Sequence, residues 1–179
     1  MPVELAKHQR ITALIVKFQA MLNLENITAL LARFAEVRAE VDAEYSALDE
    51  LIVWADKNLI SHYCFDEESQ WWSGLPRDKG VLLSLTTLDL RKSKFSTIPE
   101  CIGILSNLKR LNLKDSQLHH LLDSIGKLIN LEILELSGNQ LQHLPEMIGQ
   151  LVNLKVLELK GNHLLAVPET TDNLVNWKL

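Results

Sequence analysis

Leucines recur every 23 residues through the second half of the chain, and they fall into three columns. The columns are Leu85, Leu108, Leu131 and Leu154; Leu88, Leu111, Leu134 and Leu157; and Leu90, Leu113, Leu136 and Leu159. A fixed period of this length is typical of solenoids, in which each short unit can bury its apolar residues only against its neighbours. The pattern therefore predicts four stacked repeats over residues 85–179. Each L-x-x-L-x-L stretch should form a short strand whose leucines face inward.

The whole repeat reads L-x-x-L-x-L-x-x-N-x-L-x-x-L-P-x-x-I-G-x-L-x-N, and residues 131–153 show it in full. This motif resembles the leucine-rich repeat family, in the 23-residue subtype of many intracellular and bacterial proteins. The resemblance implies an α/β solenoid, in which a short right-handed array carries a parallel, concave sheet. It covers a little over half of the chain and leaves residues 1–60 unexplained.

In the leucine-rich repeat family, the asparagine in the turn after each strand ties that turn to the neighbouring repeats through its side-chain amide. The corresponding positions in this chain are Ser93, Ser116, Asn139 and Asn162. A serine hydroxyl supplies only part of the hydrogen bonding of an amide. We therefore expect this structural turn ladder to be weaker in the first two repeats.

The second half of each repeat predicts an outer wall that is irregular or made of short 3₁₀ helices, because proline removes a backbone donor. The prolines are Pro99, Pro145 and Pro168, and the glycines of the following corner are Gly103, Gly126 and Gly149. Thr171 and Asp172 replace Ile-Gly in the last repeat, so its corner should be looser. Trp177 falls in the strand-opening column, and no capping helix follows before Leu179. We expect these two residues to cover the open end as a lid, or another molecule to cover it.

Residues 61–84 are predicted to form a linker and a degenerate capping repeat. Leu75 and Leu82 fall in two of the apolar columns of the repeat when the period is extended backwards. Terminal repeats of a solenoid are atypical because they cover an open core. Trp71 and Trp72 suit such a cap, since large aromatic side chains bury much apolar area. The alternative is an exposed aromatic contact site.

Residues 1–60 predict a helical N-terminal region, with one helix over residues 3–22 and a second over about 27–59. The second has an apolar stripe at helical spacing and contains no Gly or Pro. The stripe consists of Ile27, Leu30, Leu31, Phe34, Val37, Val41, Tyr45, Leu48, Leu51, Ile52, Ala55 and Leu59. A stripe this wide needs a partner surface. We expect a helical hairpin joined near Asn23, with a homodimer through residues 27–59 as the alternative.

Charge is unevenly distributed along the chain. Residues 1–83 hold 8 Lys/Arg and 13 Asp/Glu, whereas the remainder holds 10 of each. The polar face of the second helix carries Arg33, Glu36, Arg38, Glu40, Asp42, Glu44, Asp49 and Glu50. This face is either simply solvated or an acidic docking surface. Because the chain has no basic tract and no apolar run of about 18 residues, neither nucleic acid nor a membrane is an expected partner.

The two cysteines, Cys64 and Cys101, have no metal-binding spacing, and the first residues do not read as a signal peptide. We expect two free thiols in a reducing compartment and therefore a cytoplasmic protein. The repeat subtype also permits a secreted bacterial effector that binds a host protein.

Catalytic chemistry is not indicated by any motif in the chain, which lacks the common phosphate-binding, hydrolase and metalloprotease signatures. We therefore expect no enzymatic activity, no cofactor and no metal. His120 and His143 share a column in the turns. Exposed turn histidines are commoner than a metal site.

The outward residues of the four strands form the candidate partner-binding face. They are Thr87, Asp89, Arg91, Arg110, Asn112, Lys114, Ile133, Glu135, Ser137, Val156, Glu158 and Lys160. The acidic and basic rows either neutralise each other or form a polar binding surface with an apolar patch at Ile133 and Val156. Four strands about 4.8 Å apart offer only ~300 Å², against ~800 Å² per partner in a standard interface. A partner must therefore also contact the flanking loops or helices.

We predict a non-catalytic protein–protein interaction module that binds a protein partner through the concave strand face and the adjacent loops or helices. The alternative is a self-assembling structural protein, with residues 27–59 or the C-terminal end as its interface. Under the first hypothesis, charge reversal of Glu135 and Glu158 together should weaken partner capture and leave the thermal midpoint nearly unchanged.

Overall fold

The computed structural model describes residues 24–61, 64–66, 71–170 and 177–178. By its backbone contacts the chain divides into two compact units, Met1–Ala43 and Glu44–Leu179. The helix predicted over residues 3–22 and the hairpin predicted near Asn23 lie outside the described residues.

Helix α1 spans Leu24–Lys57, close to the predicted bounds. Within the larger unit, its last turns place Leu48, Leu51 and Ala55 in the same apolar core as the repeats, where all three are fully buried. The prediction that Leu59 belongs to the apolar stripe is wrong, because this side chain is 91% exposed. Its backbone has a φ of 54°, so the chain turns out of the helix and Ile60 takes the buried position instead.

The first part of α1 keeps much of its apolar stripe in contact with solvent. Leu31 is 63% exposed and Val37 is 43% exposed. The charged residues on the polar face are exposed as well, apart from the half-buried Glu44. Arg33 pairs with Glu36 at 2.9 Å, one turn along the same face.

Side-chain contacts fasten the end of α1 to the segments around it in the larger unit. The Arg77 guanidinium donates to the Asp56 carboxylate at 2.7 Å and to the Ile60 carbonyl at 2.9 Å. The Trp54 ring meets Phe95 edge-on, with 5.1 Å between the ring centroids. Aromatic contact of this kind adds to burial, so the helix end shields the first repeat.

A short β-hairpin precedes the repeats, and the sequence pattern did not predict it. Strand β1, Cys64–Asp66, pairs antiparallel with strand β2, Trp71–Ser73. Helix α2, Lys79–Ser84, follows, and the Asp78 carboxylate caps it by accepting a hydrogen bond from the backbone N–H of Val81 at 2.9 Å. The side chains of the two tryptophans, on which the predicted cap depended, lie outside the described residues.

The segment before residue 85 contributes two side chains to the core. Leu75 and Leu82 are fully buried. The backbone N–H of Gly74 donates to the carbonyl of Asp89 at 3.0 Å, which ties this segment to the first strand of the main sheet.

The main sheet is parallel, and its strands follow one another in chain order. They are β3 (Thr87–Asp89), β4 (Arg110–Asn112), β5 (Ile133–Glu135), β6 (Val156–Glu158) and β7 (Trp177–Lys178). From β3 to β6 the register advances by one repeat per strand, as in Arg110 opposite Ile133. The leucine period therefore sets the pairing.

The last strand departs from that register. Trp177 pairs with Leu157, which is 20 residues earlier, and Lys178 pairs with Glu158. The prediction that Trp177 continues the column of Leu154 is therefore wrong, whereas the predicted lid depends on side chains outside the described residues. Backbone hydrogen bonds decide strand pairing, and here they extend the sheet with a strand that is offset by 20 residues instead of 23. Leu179 and the predicted loose corner at Thr171 and Asp172 lie outside the described residues.

The inward leucines form the core that the period predicted. All twelve members of the three columns are buried, and none is more than 6% exposed. The outer wall consists of short 3₁₀ helices at Glu100–Ile104, Asp123–Lys127 and Glu146–Gln150. A Cβ added at Gly126 would lie 2.5 Å from the carbonyl oxygen of Met147. Glycine is needed at this corner because successive outer walls approach closely, not because of an unusual φ.

Candidate protein-binding face

The structure places the twelve predicted face residues side by side on the outward side of β3–β6 and the turns after them, and we call this set the strand face. Its middle column is sunk into the surface: Asp89 is 7% exposed, Asn112 is 5% exposed and Glu135 is 8% exposed. The remaining nine residues are half-buried, except for the exposed Lys160. Only the outer columns are therefore open to a partner over the first three repeats.

Hydrogen bonds within the strand face explain why the middle column is polar and yet buried. The Asn112 amide donates to the Asp89 carboxylate at 3.3 Å. The same carboxylate accepts the backbone N–H of Arg91 at 3.1 Å, and the Asn112 side-chain oxygen accepts the backbone N–H of Lys114 at 3.1 Å. These side chains close the turns after their strands, so their first role is structural.

Ion pairs cross the repeats and neutralise most of the acidic column. Arg110 contacts Glu135 through two nitrogens, at 2.8 and 3.0 Å. Lys114 reaches Glu158 at 3.3 Å, two repeats further along the array. The expectation that charge reversal at Glu135 would leave the thermal midpoint unchanged does not fit this geometry. A lysine there would bury a cation against Arg110, and we expect it to destabilise the fold.

The turn ladder is formed most fully by Asn139, which is 3% exposed and makes four hydrogen bonds. Its side-chain oxygen accepts the backbone N–H groups of Ser116 and Leu118, at 3.1 and 3.0 Å. Its amide donates to the carbonyls of Leu113 and Leu136, both at 2.8 Å. The side chain thus joins two successive turns.

The serine that replaces asparagine in the second repeat retains only the donor half of this arrangement. The Ser116 hydroxyl lies within hydrogen-bonding distance of the carbonyls of Leu90, at 2.9 Å, and Lys114, at 3.2 Å. The backbone N–H of Phe95, which a side-chain oxygen would accept in a later repeat, donates to the Ser116 backbone carbonyl at 2.9 Å. The half-buried Ser93 opens the series in the first repeat, and Asn162 closes it with bonds to Leu136, Leu141 and Leu159.

A second asparagine ladder runs along the other edge of the strands. The amides of Asn107, Asn130 and Asn153 donate to carbonyls 24 residues earlier, at 2.7, 2.9 and 2.7 Å. With the turn ladder, it fixes both ends of each strand against the preceding repeat. The strand face is consequently displayed on a backbone that is fastened at both edges.

Two exposed apolar residues precede the apolar pair of the strand face by four positions in the chain. Ile133 and Val156 are directly paired in the sheet and half-buried. On the segments that lead into the same two strands, Ile129 is 53% exposed and Val152 is 81% exposed. Ile129 and Val152 each directly precede an asparagine of the second ladder, Asn130 and Asn153. An apolar residue at this position of the repeat, outside the leucine columns, could have identified them from the sequence.

The turn histidines lie at the surface of the part of the chain that the structure describes. His119, His120 and His143 are exposed, and the described residues contain no group of three or more His, Cys, Asp or Glu that could hold a metal ion. Burial, with a smaller contribution from the Glu50 carboxylate, raises the pKa of the Cys101 thiol. No described helix is both long and apolar enough to cross a membrane.

Comparisons with known proteins agree with this geometry. A family model described as leucine rich repeat matches residues 106–164. Among solved structures, the chain is similar to a leucine-rich repeat protein of Leptospira interrogans, with 34% sequence identity and a TM-score of 0.50. That similarity covers 58% of this chain and 32% of the Leptospira protein, so the shared part is about a third of that relative. The comparison with curated proteins gave no match.

The repeat region is thus a leucine-rich repeat array, and its fold is an α/β solenoid preceded by an N-terminal helix. The fold predicted from the leucine columns is confirmed. Arrays of this family in general mediate protein–protein interaction and are non-catalytic.

Proposed function

We propose that this chain is a non-catalytic module that binds a protein partner through the strand face and the turns beside it. One observation carries the proposal: the inward leucines are buried, whereas Ile133 and Val156 remain partly exposed on a backbone that both asparagine ladders fasten. A rigid, partly apolar surface binds with little loss of conformational entropy. The general role of leucine-rich repeat arrays in protein binding supports the same interpretation.

The size of the face limits how it binds. The projected sheet area of ~300 Å² falls short of the ~800 Å² that each partner buries in a standard interface. Ile129 and Val152 extend the apolar surface beyond the strands. We infer that the partner covers these two residues together with Ile133 and Val156, and that the last two repeats form the centre of the interface.

Paired arginine substitutions test the proposal. Ile133→Arg with Val156→Arg should abolish capture of the partner from a cell lysate, because two buried cations would lie at the centre of the interface. The matched control is Val53→Arg with Leu165→Arg, which changes two exposed apolar residues outside the strand face. The control should capture the same protein as the unmodified chain. Equal capture by both double variants, with the fold intact, would contradict the proposal.

Self-association is a second candidate function, which the exposed apolar residues of α1 favour. Leu31 and Val37 are exposed in the first part of this helix, and Tyr45 and Val53 in the second. A second copy of the chain would cover such residues in a dimer. Light scattering over a concentration series distinguishes the two functions, since a monomeric binding module keeps a constant mass. Leu31→Glu with Val37→Glu should restore a monomer if α1 is the interface.

A further inference from the structure

The strand-and-turn segments differ in charge from one end of the array to the other. In the first two, residues 86–94 and 109–117, six Lys/Arg stand against two Asp/Glu, a net charge of +4. In the last two, residues 132–140 and 155–163, two Lys stand against three Glu, a net charge of −1. On the side of the strands and their turns, the array therefore has a basic end, formed by the first two repeats, and a nearly neutral end, formed by the last two.

Three cations of the basic end are exposed, and one of them, Lys109, adds a smaller effect to that of Lys155 in lowering the pKa of the Glu132 carboxyl. Lys92, Lys94 and Lys109 are exposed, and none forms an ion pair with a carboxylate among the described residues. Lys92 and Lys94 have φ values of 60° and 52°, so both occupy the tight turn after β3. Lys109 precedes β4 at the opposite edge. A partner that lies across these repeats meets positive charge on both sides.

The neutral end offers apolar contact instead. Ile133 and Val156 face outward from adjacent strands, and Ile129 and Val152 are exposed four residues before them in the chain. Glu132 and Lys155, which lie between the two pairs in sequence, are ion-paired with each other at 2.5 Å. These two charges thus offset each other.

We propose that the occupant of the strand face is an acidic protein segment with an apolar anchor. The anchor lies against the last two repeats, and the carboxylates lie over the first two. This inference rests on the proposed function, because it names the chemistry of the partner at the same face. Two repeats separate the two ends, about 10 Å, which an extended chain spans in about three residues. The segment therefore carries its acidic residues about three positions from its apolar anchor.

Charge complementarity supports this assignment and argues against a basic partner. Like charges set against each other across an interface oppose binding, whereas opposite charges steer the encounter and fix its register. Lys92, Lys94 and Lys109 are exposed, so they remain hydrated until the partner arrives. Their contribution should therefore fall with ionic strength, since exposed charges are screened over about 8 Å in physiological salt.

Labelled peptides of about ten residues provide the test, with a leucine pair placed three positions from a run of glutamates. Binding to the full-length chain is measured by fluorescence anisotropy at low and at physiological salt. The leucine–glutamate peptide should bind, and its affinity should fall as salt rises. A peptide with lysines in place of the glutamates should not bind, and serines in place of the leucines should weaken binding. Failure of the leucine–glutamate peptide to bind would overturn the inference.

A charge-matched pair of variants locates the peptide. Lys92→Glu with Lys109→Glu should weaken binding roughly tenfold. The control, Lys57→Glu with Lys127→Glu, makes the same change in net charge at exposed positions on α1 and on the outer wall. It should leave the affinity nearly unchanged. An equal loss in both double variants would show attraction to net charge alone and would overturn the inference.

The same variants separate this inference from the proposed function. Capture of a protein from lysate that depends on Ile133 and Val156 but not on Lys92 and Lys109 would leave the proposed function standing and overturn the acidic partner. Capture that depends on neither pair would overturn both.

Discussion

A methyl group at Gly138 would overlap the carboxylate of Asp115, because these residues occupy the same place in successive turns. Both have a positive φ, 55° at Asp115 and 70° at Gly138. Gly161 follows in the next turn with a φ of 75°, but there an added Cβ would lie no closer than 3.4 Å to its nearest neighbour, the Gly138 nitrogen. Comparing Gly138 with Gly161 therefore separates two effects on stability: that of the positive φ, which both share, and that of crowding by a neighbouring side chain, which only Gly138 has.

We predict that Gly138→Ala lowers the free energy of unfolding more than Gly161→Ala does. Gly161→Ala should cost about 1 kcal/mol, the usual penalty for a side chain in the left-handed region. Gly138→Ala should cost about 2 kcal/mol, because the Asp115 carboxylate must also move. In an Asp115→Gly background the two alanine substitutions should cost the same. Urea denaturation measures each value, and equal costs in the unmodified background would show that the carboxylate moves freely.

The turn ladder predicts a graded loss of stability. Asn139→Ala leaves four buried backbone groups without their partner and should cost about 3 kcal/mol or more. Ser116→Ala removes one hydroxyl that serves the carbonyls of Leu90 and Lys114, and should cost about 1 kcal/mol. Denaturant midpoints of the two variants check the order. The reverse order would mean that the first repeats depend on the ladder more than the last ones do.

We expect alanine substitution at Ser124 to stabilise the fold, whereas alanine substitution at Ser116 should destabilise it, although both side chains are buried. The Ser124 hydroxyl has no hydrogen-bond partner among the described residues, and the residue is only 1% exposed. Removing a buried, unpaired hydroxyl relieves its desolvation penalty. Ser124→Ala should therefore raise the free energy of unfolding by about 1 kcal/mol. A lower thermal midpoint for Ser124→Ala would indicate that the hydroxyl does make a bond in solution.

The leucine columns made the core and the strand register predictable, because a 23-residue period leaves one way to stack the repeats. The burial of Glu135 was not predictable in the same way. Alternation along a strand assigns this residue to the outward face, but its exposure depends on Arg110, which is 25 residues away. The repeat period does not show which side chains pair between repeats. The sequence therefore predicted which residues form the strand face, but not which of them are accessible to a partner.

The two ends of the array were predicted less well, and for a related reason. The β1–β2 hairpin and the 20-residue offset of β7 from β6 both lie where the period breaks down. Outside the period, pairing depends on backbone hydrogen bonds that residue types specify weakly. Leu59 was also predicted wrongly. Its position continues the helical spacing of the apolar stripe, but the helix ends at Lys57 and the side chain is exposed.

Two ion pairs of the strand face should contribute unequally to stability. The Glu135 side chain is 10% exposed and contacts Arg110 at 2.8 Å, whereas the Glu158 and Lys114 side chains are 36% and 38% exposed and 3.3 Å apart. Glu135→Gln should cost about 1–2 kcal/mol, and Glu158→Gln less than about 0.5 kcal/mol. In about 1 M salt the smaller effect should vanish, while most of the larger one should remain. A double-mutant cycle with Arg110→Ala measures the coupling, and zero coupling would contradict the assigned pair.

The Cys101 thiol gives a prediction that depends on pH. Burial, followed by the Glu50 carboxylate, raises its pKa above 9.0, and Glu100 adds a smaller effect in the same direction. The folded protein therefore holds the thiol proton more tightly than the unfolded chain does. This contribution to stability is fully present below about pH 9 and is lost as the pH rises through the pKa of the folded state.

Alkylation rates as a function of pH measure the thiol directly, in a Cys64→Ser background that leaves one cysteine. The midpoint of the profile should lie above pH 9.0. Glu50→Gln should move the midpoint down, because it removes the larger of the two repulsive carboxylates, and Glu100→Gln should move it less. Cys101→Ser should also flatten the fall in unfolding free energy above pH 9 relative to the Cys64→Ser chain. A larger shift for Glu100→Gln than for Glu50→Gln would contradict the placement of α1 beside the first 3₁₀ helix, because that placement brings Glu50 to the thiol.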